Sequence, residues 1–165
     1  MNKDLIKEAY ISFFFLGKAP IAPGTFGTIG GVIIAFLSVY LLGNNASYFL
    51  FGLIITMYYL GLVIAPWSEK KYGKDPGIYV LDEVIGYLVI IAFLGLFQST
   101  LESHNWFLSF ALFRIFDVIK LWPAKNLEGL EGGHGILMDD IAAGFQNIDC
   151  HSFFRNLQYY LKCII

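Results

Sequence analysis

The sequence has few cysteines and few charged residues, and both absences exclude classes of protein. Only 2 of its 165 residues are cysteines, and Cys150 and Cys163 have neither the spacing of a disulfide framework nor that of a zinc site. Charged residues make up 15% of the chain, against roughly 25% in an average soluble protein. With 11 basic and 13 acidic side chains, the chain lacks the basic field that binds nucleic acids. We therefore expect no disulfide scaffold and no nucleic-acid partner.

Apolar residues are in excess instead. They make up 57% of the chain, with 16 Phe and 10 Tyr, and a domain of this size buries only about 70% of its surface on folding. No charged side chain occurs between Ala19 and Ser68, a stretch that no water-soluble fold requires. The N-terminal segment, which carries Asp4 and Glu8 among its lysines, is not typical of a secretory signal. The surroundings of the protein are predicted to be partly lipid.

The apolar runs predict four membrane-spanning helices. Turn-forming residues at Gly43–Ser47 and at Glu102–Asn105 divide these runs into two hairpins. At 1.5 Å per residue each run is roughly 25–30 Å long, close to the thickness of the bilayer core. We therefore expect one all-α domain over residues 1–165, a polytopic membrane helical bundle with about four spanning helices plus short interfacial helices. The predicted spans are Phe26–Leu42, Tyr48–Trp67, Val84–Leu101 and Trp106–Trp122.

The distribution of lysine and arginine predicts the orientation of the bundle. If the N-terminus is cytoplasmic, all 11 Lys and Arg residues, including Arg155 and Lys162 in the C-terminal tail, lie on that side or in the adjacent half of the fourth span. The positive-inside rule favours this arrangement. We therefore expect a multi-pass membrane protein whose polar clusters face the cytoplasm.

The first polar cluster precedes the first span. After Pro20 and Pro23, a helix N-terminus presents backbone N–H groups and hydroxyls, which favours an anion, and Lys18 adds a positive charge. An alternative is that the glycines only let another helix approach closely. No Gly-Lys-Ser/Thr ending indicates a nucleotide loop. The candidate anion-binding residues here are Lys18, Gly24, Thr25, Gly27 and Thr28.

Carboxylates dominate the other polar segments. Taken singly, the acidic pairs are explained as helix-start residues, and the spacing of Arg114, Asp117 and Lys120 is explained as an ion-pair ladder. His134 lies in a glycine-rich loop. Two interpretations stay open for it: an ordinary surface histidine, or a residue that binds a ligand. Together, however, five acids on one membrane face repel one another unless a cation is bound, and oxygen ligands favour Mg²⁺. These acids are Asp82, Glu83, Asp117, Asp139 and Asp140.

Nearby cations complete the pattern. Lys18, Arg114, Lys120 and Lys125 accompany the acids and the Gly/Thr loop, which suits a phosphate group. The residues therefore predict a metal-dependent phosphoryl-transfer site at the inner membrane surface. Buried charges near the middle of the bilayer, which a small transporter or channel is expected to carry, are missing from the first three spans. A non-catalytic lipid-binding membrane protein is the other alternative.

Several motifs, in order, resemble the phosphatidylglycerophosphatase A family of bacterial inner-membrane lipid phosphatases. They are APGTFGTIGG (22–31), DPGIYVLDEVIG (75–86), FRIFDVIKLWPA (113–124) and GGHGILMDDIAAG (132–144). The resemblance implies Mg²⁺-dependent hydrolysis of phosphatidylglycerol phosphate to phosphatidylglycerol and phosphate. It also implies that the five acids are the catalytic residues.

The motifs and the chemistry together assign roles as hypotheses. Mg²⁺ is expected on Asp82, Glu83 and the Asp139–Asp140 pair. Phosphate oxygens are expected on Arg114, Lys120 and His134 together with Lys18, Gly24, Thr25, Gly27 and Thr28. The attacking group is either a water molecule or one of the aspartates, which would form an acyl phosphate. Cys150 and Arg155 are one residue too close for a thiol-phosphatase loop, so we expect Cys150 to take no part.

Overall fold

Helices account for most of the chain. The structure, a computed structural model, describes the backbone of residues 3–97 and 103–164 and the side chains of residues 3–96 and 106–152. No strand occurs within those ranges, which confirms the all-α prediction. The helices are α1 (Lys3–Ile11), α2 (Pro23–Leu42), α3 (Ala46–Tyr72), α4 (Leu81–Phe97), α5 (Ser103–Ile119), α6 (Ala124–Leu127) and α7 (Gly133–Ile164), with short 3₁₀ turns at Leu16–Lys18 and Gly43–Asn45.

Local sequence signals set the helix ends. Pro23 occupies the first turn of α2, where its missing N–H costs nothing. Gly73 follows α3 with a φ of +96°, a conformation that favours glycine. Lys120 adopts a left-handed φ of 46° directly after α5, so this helix ends three residues before the predicted boundary at Trp122. The predicted runs otherwise match α2, α3 and the beginning of α4 to within a few residues.

Helix α4 lies at the centre of the bundle. Its side chains are buried on every face, which is expected for a helix that is apolar all round. Helix α2 runs parallel to α4, with Gly31 against Tyr87, whereas α3 is antiparallel, with Phe51 packed edge-on against Phe93 at 5.0 Å between ring centroids. The fully buried side chains of α4 include Val84, Ile85, Tyr87, Leu88 and Ile90.

Helix α7 is a fifth long helix that the sequence analysis did not predict. It spans 32 residues and runs parallel to α4, since Gly86 contacts Asp140 and the rings of Phe93 and Phe145 lie 5.1 Å apart. Buried polar residues such as Asn147 interrupt its apolar run, which concealed the helix from a hydropathy argument.

The direction of α7 changes the expected position of the C-terminal tail. Asn147 Nδ2 donates to the Ser109 carbonyl at 2.7 Å, and Ser109 Oγ lies 2.9 Å from His151 Nε2. These contacts lie nearer the start of α5 than Asp140 does, about 11 Å from it along α7. The chain therefore carries Arg155 and Lys162 away from the acidic residues, whereas the sequence analysis placed them on the same side.

One stretch of the described residues, Pro23–Tyr72, is long and apolar enough to cross a membrane by length and composition. It comprises α2, the turn at Gly43–Asn45 and α3. Only 28% of its most apolar window is buried inside the protein, so most of that surface faces outward. Large outward-facing residues there include Ile33, Phe36, Tyr40, Leu41 and Val63. This apolar surface supports membrane association.

Glu8 attaches α1 to the rest of the protein. Its carboxylate pairs with Lys18 and with Lys71, 2.8 Å away, and accepts a hydrogen bond from Tyr72. These contacts, that with Lys18 first, lower the pKa of Glu8 from 4.5 to about 2. The ionised carboxylate therefore stabilises the attachment of α1 above about pH 4.5, and this stabilisation is lost as the pH falls towards 2.

We predict that Glu8→Gln loosens α1 at pH 7 but makes little difference near pH 2, where the wild-type carboxylate is itself protonated. Amide hydrogen exchange of residues 3–11 measures the effect, and exchange should be faster in the variant only at the higher pH. Glu131→Gln is the control, because Glu131 is exposed. Equal exchange in Glu8→Gln and wild type at pH 7 would contradict the assigned role.

The glycines at the crossing of α4 and α7 predict that a larger residue there lowers the stability of the protein. A Cβ atom added at Gly144 would lie 2.7 Å from the Gly86 carbonyl oxygen, a backbone atom that cannot yield. We expect Gly144→Ala to destabilise the protein by about 1–3 kcal/mol. Gly52→Ala is the matched control, since nothing lies within 4 Å of a Cβ there, and it should be neutral or stabilising by about 0.5–1 kcal/mol. Thermal unfolding in detergent compares them, and equal stability of the two variants would disprove the close crossing.

Candidate active site

Three carboxylates from two helices meet at one end of the bundle. Asp82 and Glu83 lie in the first turn of α4, and Asp140 projects from α7. Ligand atoms of the three side chains all lie within 4.8 Å of one another. The close backbone contact at Gly86 brings these turns together, because a Cβ at Gly86 would meet the Asp140 carbonyl oxygen at 2.7 Å. We call Asp82, Glu83 and Asp140 the acidic trio.

Two members of the acidic trio, Asp82 and Asp140, are buried, Glu83 is partly exposed, and the trio is incompletely bonded. Asp82 is 8% exposed and Asp140 is 3% exposed. Among the described residues, Glu83 Oε2 and Asp140 Oδ2 have no hydrogen-bond partner. A buried carboxylate without a partner is costly, and a hard cation is the usual compensation. The donor set, all oxygen, therefore fits a divalent ion such as Mg²⁺.

Arg114 supplies positive charge beside the acidic trio. Its Nη1 donates to Asp117 Oδ2 at 2.6 Å and lies 4.0 Å from Glu83 Oε1. The same nitrogen is 3.4 Å from Thr28 Oγ1. The carboxyl group of Asp117 is close enough to Asp140 for their negative charges to repel each other. The predicted i, i+3 pairing of Arg114 and Asp117 is present. Arg114 also contacts Thr28 on α2 and Glu83 on α4. Arg114 is therefore positioned to bind an anion beside the three carboxylates.

The N-terminus of α2 lies directly against these groups. A Cβ atom at Gly24 would overlap Glu83 Oε1 and lie 3.2 Å from Arg114 Nη1. Thr28 Oγ1 donates back to the Gly24 carbonyl at 2.9 Å. Gly27 is needed for close packing on Val80, as the helix-approach alternative predicted. The close-approach explanation therefore holds at Gly27, and anion binding by this turn stays a prediction.

Lys120 forms an ion pair with Asp139. Its Nζ donates to Asp139 Oδ2 at 2.8 Å and to Glu128 Oε1 at 3.1 Å. Burial disfavours the charged amine, but the bonds to Asp139 and Glu128 outweigh it and raise the pKa of Lys120 above the ordinary lysine value. Lys120 is therefore protonated at neutral pH. Asp139 is outside the group of three carboxylates within 4.8 Å of one another, and a metal role for it stays a prediction.

Other predicted binding residues lie elsewhere. Lys18 pairs with Glu8, and His134 Nδ1 lies 2.8 Å from the hydroxyl of Tyr58 on α3. Among the described side chains, Thr25 makes no hydrogen bond to the acids, although it is in the same turn of α2 as Gly24.

Sequence reasoning missed two features of the site. Glu128 was not considered, although it bonds Lys120. The glycine pair Gly86 and Gly144 lay inside the quoted motifs, but its packing role depends on two helices that only the fold brings together.

Comparison with known proteins identifies the group to which this chain is related. The family model described as phosphatidylglycerophosphatase A matches residues 9–154. The chain belongs to the phosphatidylglycerophosphatase A family. Members of that name in Haemophilus influenzae and Escherichia coli are 34% identical over 125 residues and 30% identical over 140 residues. These alignments cover 74% and 79% of this chain, and 72% and 73% of the relatives.

A third relative has a different name. A protein of Bacteroides thetaiotaomicron, named as a candidate phosphatidylinositol-3-phosphatase, is 34% identical over 134 residues, which cover 79% of this chain and 82% of that protein. No solved structure matches this chain. The family model and the two relatives of the same name confirm the family that the motifs suggested.

The ion pair of Lys120 predicts a stability effect. Lys120→Met leaves Asp139, whose side chain is 6% exposed, without its charged partner, and should cost about 1.5–3 kcal/mol of unfolding free energy. The double variant Lys120→Met/Asp139→Leu should recover part of that loss. Chemical unfolding in detergent measures both. Lys125→Met, at an exposed position, should change stability by less than about 0.5 kcal/mol, and a similar loss in both lysine variants would argue against the pair.

Proposed function

We propose that this protein is a Mg²⁺-dependent lipid phosphatase that hydrolyses phosphatidylglycerol phosphate to phosphatidylglycerol and inorganic phosphate. The observation that carries the proposal is the acidic trio, with two unpartnered carboxylate oxygens beside Arg114. A phosphomonoester placed there would meet a site for a divalent cation on one side and a guanidinium on the other. The names of the Haemophilus influenzae and Escherichia coli relatives support this substrate.

Asp82, Glu83 and Asp140 are the residues that would hold Mg²⁺. When bound, the ion supplies a Lewis acid that neutralises charge on the phosphoryl oxygens. A metal role for Asp139 remains a prediction from the sequence. Its bond to Lys120 favours a different task, that of orienting the ammonium group towards the substrate.

Arg114 and Lys120 bind phosphate oxygens in this proposal. Asp117 fixes the guanidinium of Arg114, and Thr28 and the N-terminal N–H groups of α2 add neutral donors. Arginine and lysine are suited to this task because charge-assisted hydrogen bonds to phosphate are the strong ones.

The chemical step breaks the bond between phosphorus and the glycerol oxygen. Either a water molecule oriented by a carboxylate attacks phosphorus directly, or a carboxylate attacks first and water then hydrolyses the acyl phosphate. In both cases the glycerol oxygen takes up a proton, and inorganic phosphate leaves. Trapping of the acyl phosphate with hydroxylamine during turnover supports the second route.

We further propose that residues 1–165 form one domain that crosses the inner membrane with α2, α3, α4, α5 and α7. The acidic trio then faces the cytoplasm. Nine of the eleven Lys and Arg residues remain near that end, since only Arg155 and Lys162 follow α7 away from it. The excess still satisfies the positive-inside rule. Cysteine labelling of introduced sites before Lys3 and after Ile164 tests the topology, because the two termini should be accessible from opposite sides.

Phosphate release from phosphatidylglycerol phosphate in mixed micelles tests the proposed activity. We expect release with Mg²⁺ and none with a chelator. Asp140→Asn and Glu83→Gln should each lower kcat/KM by about 100-fold or more. Asp149→Asn is the matched control, because Asp149 lies exposed on the same helix, and it should keep wild-type activity. Full activity in both trio variants, or release that ignores the chelator, would overturn the proposal.

A further inference from the structure

The acidic trio is least enclosed on the side of α2 and α5. The side chains of Arg114 and Glu83 are 20% and 14% exposed, whereas Asp82 and Asp140 are buried. Arg114 projects from α5, and its Nη1 lies 3.4 Å from Thr28 Oγ1 on α2. The accessible part of the site therefore lies beside the contact between these two helices.

Helices α2 and α7 both cross α4 in close backbone contact. A Cβ atom at Gly31 of α2 would lie 3.2 Å from the Val84 carbonyl oxygen, and one at Gly144 of α7 would lie 2.7 Å from the Gly86 carbonyl oxygen. An acyl chain cannot pass between backbones that are this close, because packed interiors leave no such gaps. Neither crossing therefore gives a lipid molecule access to the acids.

Helices α2 and α5 are in contact at two levels. The first is the contact of Thr28 with Arg114, and at the second Phe36 packs edge-on against Trp106, with 6.1 Å between ring centroids. Eight residues separate the two levels on each helix, which corresponds to about 12 Å, so the helices are antiparallel. From the first level to the second, the surface of this helix pair runs from the charged site towards the apolar part of the bundle.

The surface between these two levels is apolar on both helices. On α2, two side chains follow Thr28 by one and five residues. On α5, two side chains precede Arg114 by three and seven residues and therefore lie on its face of the helix. Three of the four are exposed, and the fourth, an alanine, is partly exposed. We call this surface the apolar seam, and its residues are Ile29, Ile33, Phe107 and Ala111.

Resting on the proposed function, we propose that the apolar seam binds the acyl chains of the substrate lipid, which reaches the site sideways from the bilayer along the contact of α2 with α5. One amphiphilic molecule fits the order of these groups, because its phosphate lies at Arg114 and the acidic trio while its chains extend away from them. Ile33 lies about 8 Å from Thr28 along α2, and Phe107 lies about 11 Å from Arg114 along α5. These intervals leave the rest of the headgroup between the acidic trio and the chains.

Two isoleucines of nearly equal exposure test the seam: Ile33, which is 54% exposed, and Ile55 on α3, which is 57% exposed. Ile33→Trp should exclude the chains from the seam and raise KM for phosphatidylglycerol phosphate about 10-fold with kcat nearly unchanged, because the lost contacts are common to the ground state and the transition state. Ile55→Trp is the matched control and should keep the wild-type KM, since Ile55 lies outside the seam. Phosphate release in mixed micelles measures both.

Inhibition by inorganic phosphate separates the seam from the phosphate-binding residues. Phosphate carries no acyl chain, so its inhibition constant should be the same in Ile33→Trp and in the wild-type protein. Ile29→Trp, at the other seam position on α2, should show the same pattern as Ile33→Trp. Unfolding temperatures in detergent confirm that each variant is folded.

Three results would overturn the inference. One is an unchanged KM in both seam variants, and another is an equal rise of KM in Ile55→Trp. The third is a phosphate inhibition constant that rises together with KM, which would assign the effect to the phosphate-binding residues. Failure of the proposed function is distinct, because the wild-type protein would then release no phosphate from the lipid.

Discussion

Mutual repulsion among buried carboxylates is the constraint on which the structure of this site depends. Asp82, Glu83 and Asp140 offer oxygens within 4.8 Å of one another in a part of the bundle that excludes most water. Like charges at that distance disfavour ionisation of the group unless a cation lies among them. Among the described carboxylates, the guanidinium of Arg114 forms ion pairs with Glu83 and Asp117. It leaves oxygens of Glu83 and Asp140 unpartnered, and a divalent ion would satisfy them.

Close helix packing makes this concentration of charge attainable. In lipid, association of helices depends on close van der Waals contact rather than on removal of apolar surface from water, so small residues occur where helices cross. Gly24 brings α2 onto Glu83, and Gly86 and Gly144 bring α7 onto α4. A side chain at Gly86 or Gly144 would push the backbones of α4 and α7 apart, and one at Gly24 would displace the Glu83 carboxylate. The glycines of the motifs are therefore as necessary to the geometry of the site as the acids themselves.

The sequence predicted helices whose side chains are uniformly apolar, and it missed the helix whose polar residues face inward. Runs without charge predicted α2, α3 and α4 within a few residues, because hydropathy measures the preference of side chains for apolar surroundings. Helix α7 carries Asp140, Asn147 and His151 on buried positions, so its hydropathy is low although it lies inside the bundle. The motifs likewise predicted a shared site for five acids, of which the structure brings Asp82, Glu83 and Asp140 within 4.8 Å of one another. They could not predict the bond from Lys120 to Asp139, since that depends on how the chain turns after α5.

A contact between α5 and α7, several turns away from the acids, helps to set the geometry of the site. Helices α5 and α7 are antiparallel, and Asn147 bonds the Ser109 carbonyl where both residues are fully buried. Eight residues separate Ser109 from Asp117 on α5, and seven separate Asp140 from Asn147 on α7. These intervals correspond to about 12 and 11 Å, so the same register pairs Asp117 with Asp140. A slip of one residue would turn the side chains of α7 by about 100° and remove Asp140 from the acidic trio. A buried amide that loses its hydrogen-bond partner is costly. The bond from Asn147 to the Ser109 carbonyl therefore opposes that slip.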